Sequence, residues 1–163
     1  MGEVFRVVAH VPRGTPGQVW DIAVLSHDER RVRRRVIPLV HGDEVAIDFP
    51  KTLTLEQDDM LRLEDGRLVG IVAAEEYLYE VRGRDAKHLM QLAWHIGNRH
   101  AKAQIETEFE GIGDRILILR DHVLRDMLIG LGAKVTEISE PFSPMDGAYA
   151  HSHGDSGHAL LNR

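Results

Sequence analysis

The chain of 163 residues is 43% hydrophobic and 28% charged, with a formal net charge of −6, ten histidines and no cysteine. That size holds one domain or two small ones, the lack of thiols excludes a disulfide framework and every thiolate metal site, and the negative charge argues against a general affinity for nucleic acid. No apolar run approaches the roughly 20 residues that span a bilayer, and the N-terminus shows no charged-then-apolar leader pattern, so the cytoplasm is the expected location.

The first 75 or so residues read as short strands joined by turns. A β-branched and apolar run from Met1 to Val11 ends at Pro12-Arg13-Gly14, and Gln18–Leu25 and Val32–Val40 make further strands. Asp43–Pro50 alternates, with Val45 and Ile47 on one face. Met60–Val72 is a hairpin in which Asp65-Gly66 fits a two-residue primed turn and sets Leu63 opposite Leu68. The cationic run Arg30-Arg31-Val32-Arg33-Arg34-Arg35 reads first as a solvated strand or hairpin, and alternatively as a docking patch for an acidic partner.

From about Tyr77 the period changes. Tyr77–Val81 is strand-like, and Ala86, Leu89, Met90, Ala93 and Ile96 recur at helical spacing before Gly97 supplies a glycine stop. Ala103–Phe109 and Arg115–Leu119 are strands around the turn Gly111-Ile112-Gly113-Asp114. Val123, Leu124, Met127, Leu128 and Leu131 form a second helical stripe ending at Gly132, and Lys134–Ile138 is the last strand. The order βαββαβ is that of the ferredoxin-like unit. The expected class is therefore α+β: a small β domain over residues 1–75, a ferredoxin-like domain over 76–140 and a histidine-containing tail over 141–163. The tail is rich in Ser, Pro, Gly, Asp and His, buries too little apolar surface to offset its ordering entropy, and is expected to be mobile without metal.

Topology decides which histidines meet. With the first strand of the βαββαβ unit running up, the first helix descends and delivers Gly97-Asn98-Arg99-His100 to the bottom. The third strand also descends, so the second helix begins there with Asp121-His122. The fourth strand ends there too, and the tail with His151, His153 and His158 leaves from the same edge. Neutral imidazole is a borderline ligand suited to nickel, zinc and copper, so this convergence points to metal handling. His95 and His100 cannot chelate from one helix, because five residues at about 100° each set them roughly 140° apart. His95 groups with His88 and Gln91 on a solvated polar face, and His10, His27 and His41 read as ordinary surface or turn residues.

Gly97-Asn98-Arg99-His100, Asp121-His122-Val123-Leu124 with Met127-Leu128, the hairpin Leu61–Arg67 followed by Ala73-Ala74-Glu75-Glu76, and the histidine-bearing tail together resemble the urease accessory nickel chaperone family. The resemblance covers nearly the whole chain. It implies a peptide-binding-like β domain followed by a ferredoxin-like metal-binding domain, and a homodimer in which His100 of both chains shares one Ni(II), with Zn(II) or Cu(II) as substitutes. It also implies delivery to urease with an accessory GTPase and the urease apoprotein complex, and no catalytic turnover. His122 matches a secondary-site position in some members; the histidine they carry two residues earlier is Arg120 here. A general cytoplasmic nickel, zinc or copper binding or storage protein is the alternative. An RNA-binding module shares the βαββαβ order, but Ile116-Leu117-Ile118-Leu119 occupies the strand where stacking rings would be needed. An enzyme would need a zincin pair, nucleophile elbow or phosphate loop, and the chain shows none.

Overall fold

The computed structural model describes residues 2–111 and 113–148. Six strands build the N-terminal layer: β1 (Val4–Val11), β2 (Val19–Leu25), β3 (Arg31–Pro38), β4 (Glu44–Thr54), β5 (Met60–Leu63) and β6 (Leu68–Ala73). They lie in the order β2-β6-β5-β1-β4-β3. Alternation puts Val45 and Ile47 inward as expected, where they join Leu25, Ile37, Leu61 and Ile71 in one core.

The hairpin exists, but its register is displaced by one residue. Gly66 N–H donates to the Leu63 carbonyl at 2.9 Å and Leu63 N–H donates to the Arg67 carbonyl at 2.9 Å. The turn is thus centred on Glu64-Asp65, followed by Gly66 at φ 88°, a three-residue loop in place of the two-residue primed turn. Asp65 secures it by accepting from Arg67 N–H at 3.0 Å. Since side chains alternate, the shift parts the two leucines: Leu63 enters the main core, and Leu68 packs with Val11 and Met60.

The second layer follows with β7 (Glu75–Arg82), α1 (Ala86–Asn98), β8 (Ala103–Glu106), β9 (Arg115–Leu119), α2 (His122–Gly130) and β10 (Lys134–Pro141). Its sheet runs β10-β7-β9-β8 with every neighbouring pair antiparallel, which is the ferredoxin-like arrangement. Tyr79, Val81, Ile116 and Ile118 face the helices and pack on Leu92, Ile96, Leu124 and Leu128. Among the described residues no helix is long and apolar enough to cross a membrane.

Four expectations need correction. His88 is buried rather than solvated, because it shares the stripe of Leu92 and Ile96. Its Nδ1 accepts from Arg84 N–H at 3.0 Å, so Nε2 carries the proton and donates to the Leu131 carbonyl at 2.8 Å. Met90, assigned to the apolar stripe, is 73% exposed, as is Trp94 at 70%. Arg30 is not part of a solvated run: only 1% exposed, it donates from Nη1 to the Leu55 carbonyl and from Nη2 to the Phe142 carbonyl. Arg31, Arg33, Arg34 and Arg35 do remain exposed along the edge strand β3. Finally, the chain does not leave the core at Pro141: regular structure ends there, but Phe142 is fully buried against Leu78 and Leu117 on the sheet face opposite the helices.

That opposite face also buries a charge cluster. Arg115, 1% exposed, donates from Nη1 to Glu80 at 3.0 Å and to Glu140 through both terminal nitrogens at 2.9 and 2.8 Å, and from Nε to Glu106. A buried cation needs such partners, because desolvation of an unpaired one would cost several kcal/mol. The cluster ties β7, β8, β9 and β10 together across the sheet.

Candidate metal centre

The end of α1 is shaped by an unusual choice of residue. The helix runs through Gly97 to Asn98 and is capped by Arg99, so Gly97 is not the stop; His100, at φ 55°, takes the left-handed position. His100 N–H donates to the Gly97 carbonyl at 3.0 Å, closing the last turn. At the matching place after α2 stands a glycine, Gly132 at φ 85°, after the cap Leu131. Glycine is the default there because it carries no Cβ; a non-glycine residue is uncommon, histidine is among the types that enter the region more readily, and Asp58, Glu108 and Glu110 also have positive φ in this chain. The result is an exposed imidazole held on a short, hydrogen-bonded loop.

His122 opens α2, whose N-cap Asp121 accepts from Val123 N–H at 2.9 Å and Leu124 N–H at 3.0 Å. The convergence of the two helix ends is real: Arg99, Ala101, Asp121, Val123 and Leu124 line one depression. Yet no group of three or more His, Asp or Glu side chains placed to hold a metal occurs among the described residues. The fold brings the loops of His100 and His122 to one edge without assembling a ligand set among the described residues of one protomer. Arg120 serves the sheet instead, donating to the Leu78 carbonyl at 3.2 Å and the Ile138 carbonyl at 3.0 Å and lying over the Tyr77 ring at 5.0 Å.

His100 also borders a cleft of about 510 Å³ between the two layers, whose other walls include His27, Asp28, Arg30, Lys102, Met145 and Asp146. His27, expected as a surface residue, has its side chain largely covered in this junction, at 8% exposed. Its Nδ1 meets Glu76 at 2.7 Å, its backbone N–H donates to the same carboxylate at 2.9 Å, and its ring lies edge-on to Phe142 at 5.1 Å. Lys102 donates to Asp28 at 2.7 Å, and that hydrogen bond, against the opposing effect of burial, holds the Asp28 carboxyl below its ordinary value. The other two histidines of the β domain each serve a buried aspartate: His10 meets Asp59 at 2.8 Å and His41 meets Asp21 at 2.7 Å. Burial raises Asp59, but hydrogen bonds from Glu56 N–H, His10 and Arg13 N–H outweigh it and leave the carboxyl lowered.

Past Phe142, Ser143 N–H donates to the Gln104 side chain at 2.7 Å and Met145 N–H donates to the Ala103 carbonyl at 2.9 Å. The segment therefore follows β8 back toward His100. His151, His153 and His158 lie outside the described residues. His27, Arg30, Lys102 and Phe142 are the residues that sequence reasoning missed. One available signal was Phe142, an apolar aromatic directly after the last strand.

Two family models match the chain: the UreE urease accessory protein N-terminal domain over residues 6–74 and its C-terminal domain over residues 76–161. A urease accessory protein UreE of Rhizobium etli is 51% identical over 155 residues, covering 94% of this chain and 72% of its own length. One from Mesorhizobium japonicum is 56% identical over 131 residues, 80% of this chain and 64% of its own. One from Agrobacterium fabrum is 45% identical over 156 residues, 95% of this chain and 92% of its own.

Proposed function

Because this chain belongs to the UreE urease accessory protein family, we propose that it carries Ni(II) in the cytoplasm for assembly of the urease active site, as a binding protein and not a catalyst. The observation that carries this reading is the exposed His100 imidazole in a left-handed loop position that glycine would fill at no steric cost. In a homodimer with two-fold symmetry, a residue near the axis meets its own copy, so one histidine per chain yields two ligands. That supplies what the described residues of a single protomer lack. His151, His153 and His158 of the tail, with water, complete the shell, and His122 is an auxiliary ligand at the same edge. Ligands drawn from a tail exchange readily, which suits a delivery protein whose cargo passes to the urease apoprotein complex with the help of an accessory GTPase.

Selectivity does not come from affinity alone, since an all-imidazole site favours Cu(II) over Ni(II) and holds Zn(II) comparably. Availability and partner contacts choose the cargo. The test is equilibrium dialysis with nickel on the wild type, His100→Ala and a chain ended after Ala148. The substitution should abolish the tight site counted per dimer, and the truncation should lower affinity or stoichiometry with the dimer intact. Tight binding that survives His100→Ala would overturn the assignment.

A further inference from the structure

We infer that the free edge of β3 docks an extended acidic segment of a partner protein, along a cationic rim that ends at the cleft bordering His100. Among the described residues β3 is the last strand of its sheet, so its outer row of backbone groups has no strand beside it. Val32 and Ile37 are buried at 2% and 1%, and every side chain between them, from Arg33 to Val36, is exposed. Register explains why: Arg34 stands opposite Asp48 and Arg35 opposite Ile47, whose side chain lies in the core. Successive arginines therefore occupy the two faces of the rim, and Arg35 on the core side escapes burial because the sheet ends there. Arg31, just before Val32, is exposed as well and lines the same cleft as His100.

Few groups on the chain answer these charges. Arg34 donates from Nε to Asp48 at 3.0 Å, but the two side chains are 74% and 69% exposed, so water screens the pair and an incoming carboxylate can take its place. Arg35 donates from Nη1 to the Glu29 carbonyl at 3.2 Å, a neutral acceptor. Arg31 and Arg33 have no side-chain hydrogen bond or ion pair among the described residues. Charge on an edge strand can serve simply to keep other strands away. The opposite edge of the same sheet argues against that use: β2 carries no Lys or Arg and exposes Val19, Trp20 and Val24. An extended segment laid along β3 pairs its backbone with the free row and sets side chains over both faces. Its carboxylates there meet guanidinium forks suited to bidentate contact. A nucleic acid is the poorer occupant, since the chain's net charge is −6 and β3 has no aromatic to stack a base. Docking does not depend on nickel; that the partner collects cargo at His100 rests on the proposed function.

The experiment follows the fluorescence anisotropy of a labelled peptide of alternating Glu and Thr on the metal-free full chain, as wild type and as Arg33→Gln with Arg34→Gln. Amide hydrogen exchange of the wild type is read with and without the peptide. An exposed ion pair contributes up to roughly fivefold in affinity, so the double variant should bind about tenfold more weakly. Wild-type binding should fade as salt rises, and the amides of residues 33–36 should exchange more slowly under the peptide. Arg33→Gln alone removes a side chain without a described partner and serves if the double variant fails to fold, with an expected loss of about threefold. No binding by the wild type, equal affinity of wild type and variant, or binding that leaves the β3 amides unprotected would overturn the docking. A single-stranded oligonucleotide that binds as tightly and protects the same amides would reassign the rim to nucleic acid. A double variant that loses the wild-type oligomeric state in sedimentation would reassign it to a second copy of this chain. Because every measurement is metal-free, failure here leaves the nickel assignment standing, and failure of the nickel dialysis leaves the docking standing.

Discussion

The left-handed conformation of His100 makes a prediction that separates stability from function. An L-residue in that region pays roughly 1–2 kcal/mol for the approach of Cβ to the backbone, a cost that glycine avoids. Against this, glycine gives the unfolded chain more freedom, an offset of about 0.4–1 kcal/mol relative to alanine. His100→Gly and His100→Ala both delete the imidazole, which is exposed, so few packing contacts are lost in either. Their difference isolates the backbone: the glycine variant should be more stable than the alanine variant by about 0.5–1 kcal/mol. For a chain of this size that is roughly 1–4 °C in melting temperature. The matching change at the end of α2, Gly132→Ala, runs the other way, because φ is 85° and a Cβ would stand 2.7 Å from Arg84 Nη1. By the same difference it should cost about 0.5–1 kcal/mol, together with the displacement of the Arg84 side chain. Urea denaturation of the three variants, metal-free and at fixed protein concentration, measures both. If His100→Ala proved the more stable of its pair, the loop would carry no strain and the claim that function holds a non-glycine residue there would fall.

Three other outcomes follow from the packing. Arg115→Met strips Glu80, Glu106 and Glu140 of their shared buried cation and should destabilise by about 3–5 kcal/mol at neutral pH, toward the lower figure because Glu140 is 35% exposed; a loss below ~1 kcal/mol in denaturant titrations would contradict the cluster. Hydrogen bonds from Arg82 lower Glu80 and those from Arg115 lower Glu140, each against burial, below the unfolded reference of 4.5. Their stabilisation is thus complete above pH 4.5 and disappears as pH falls through the lower folded values, so the wild-type advantage over Arg115→Met should shrink in acid, and an advantage independent of pH would count against the carboxylates. His88→Leu leaves Arg84 N–H and the Leu131 carbonyl without their partner, a cost of about 2–3 kcal/mol without loss of nickel binding; reduced nickel stoichiometry in a folded variant would make His88 a ligand rather than a core residue.

Much of the architecture could be read along the chain, because it depends on local pattern. The alternation of Val45 and Ile47, the stripe of Leu124 and Leu128, and Gly132 after α2 each report their own element. Strand directions then follow from element order, which is why the edge shared by the loops of His100 and His122 was foreseeable. What only the tertiary structure decided are contacts between segments distant in sequence. His88 counted as polar until Leu131 and Arg84 supplied partners for both of its nitrogens. Arg30 belonged to a charge run until the Phe142 carbonyl, 112 positions away, gave its guanidinium an acceptor. Composition describes what a side chain costs to bury, and the partner that offsets the cost comes from elsewhere in the fold.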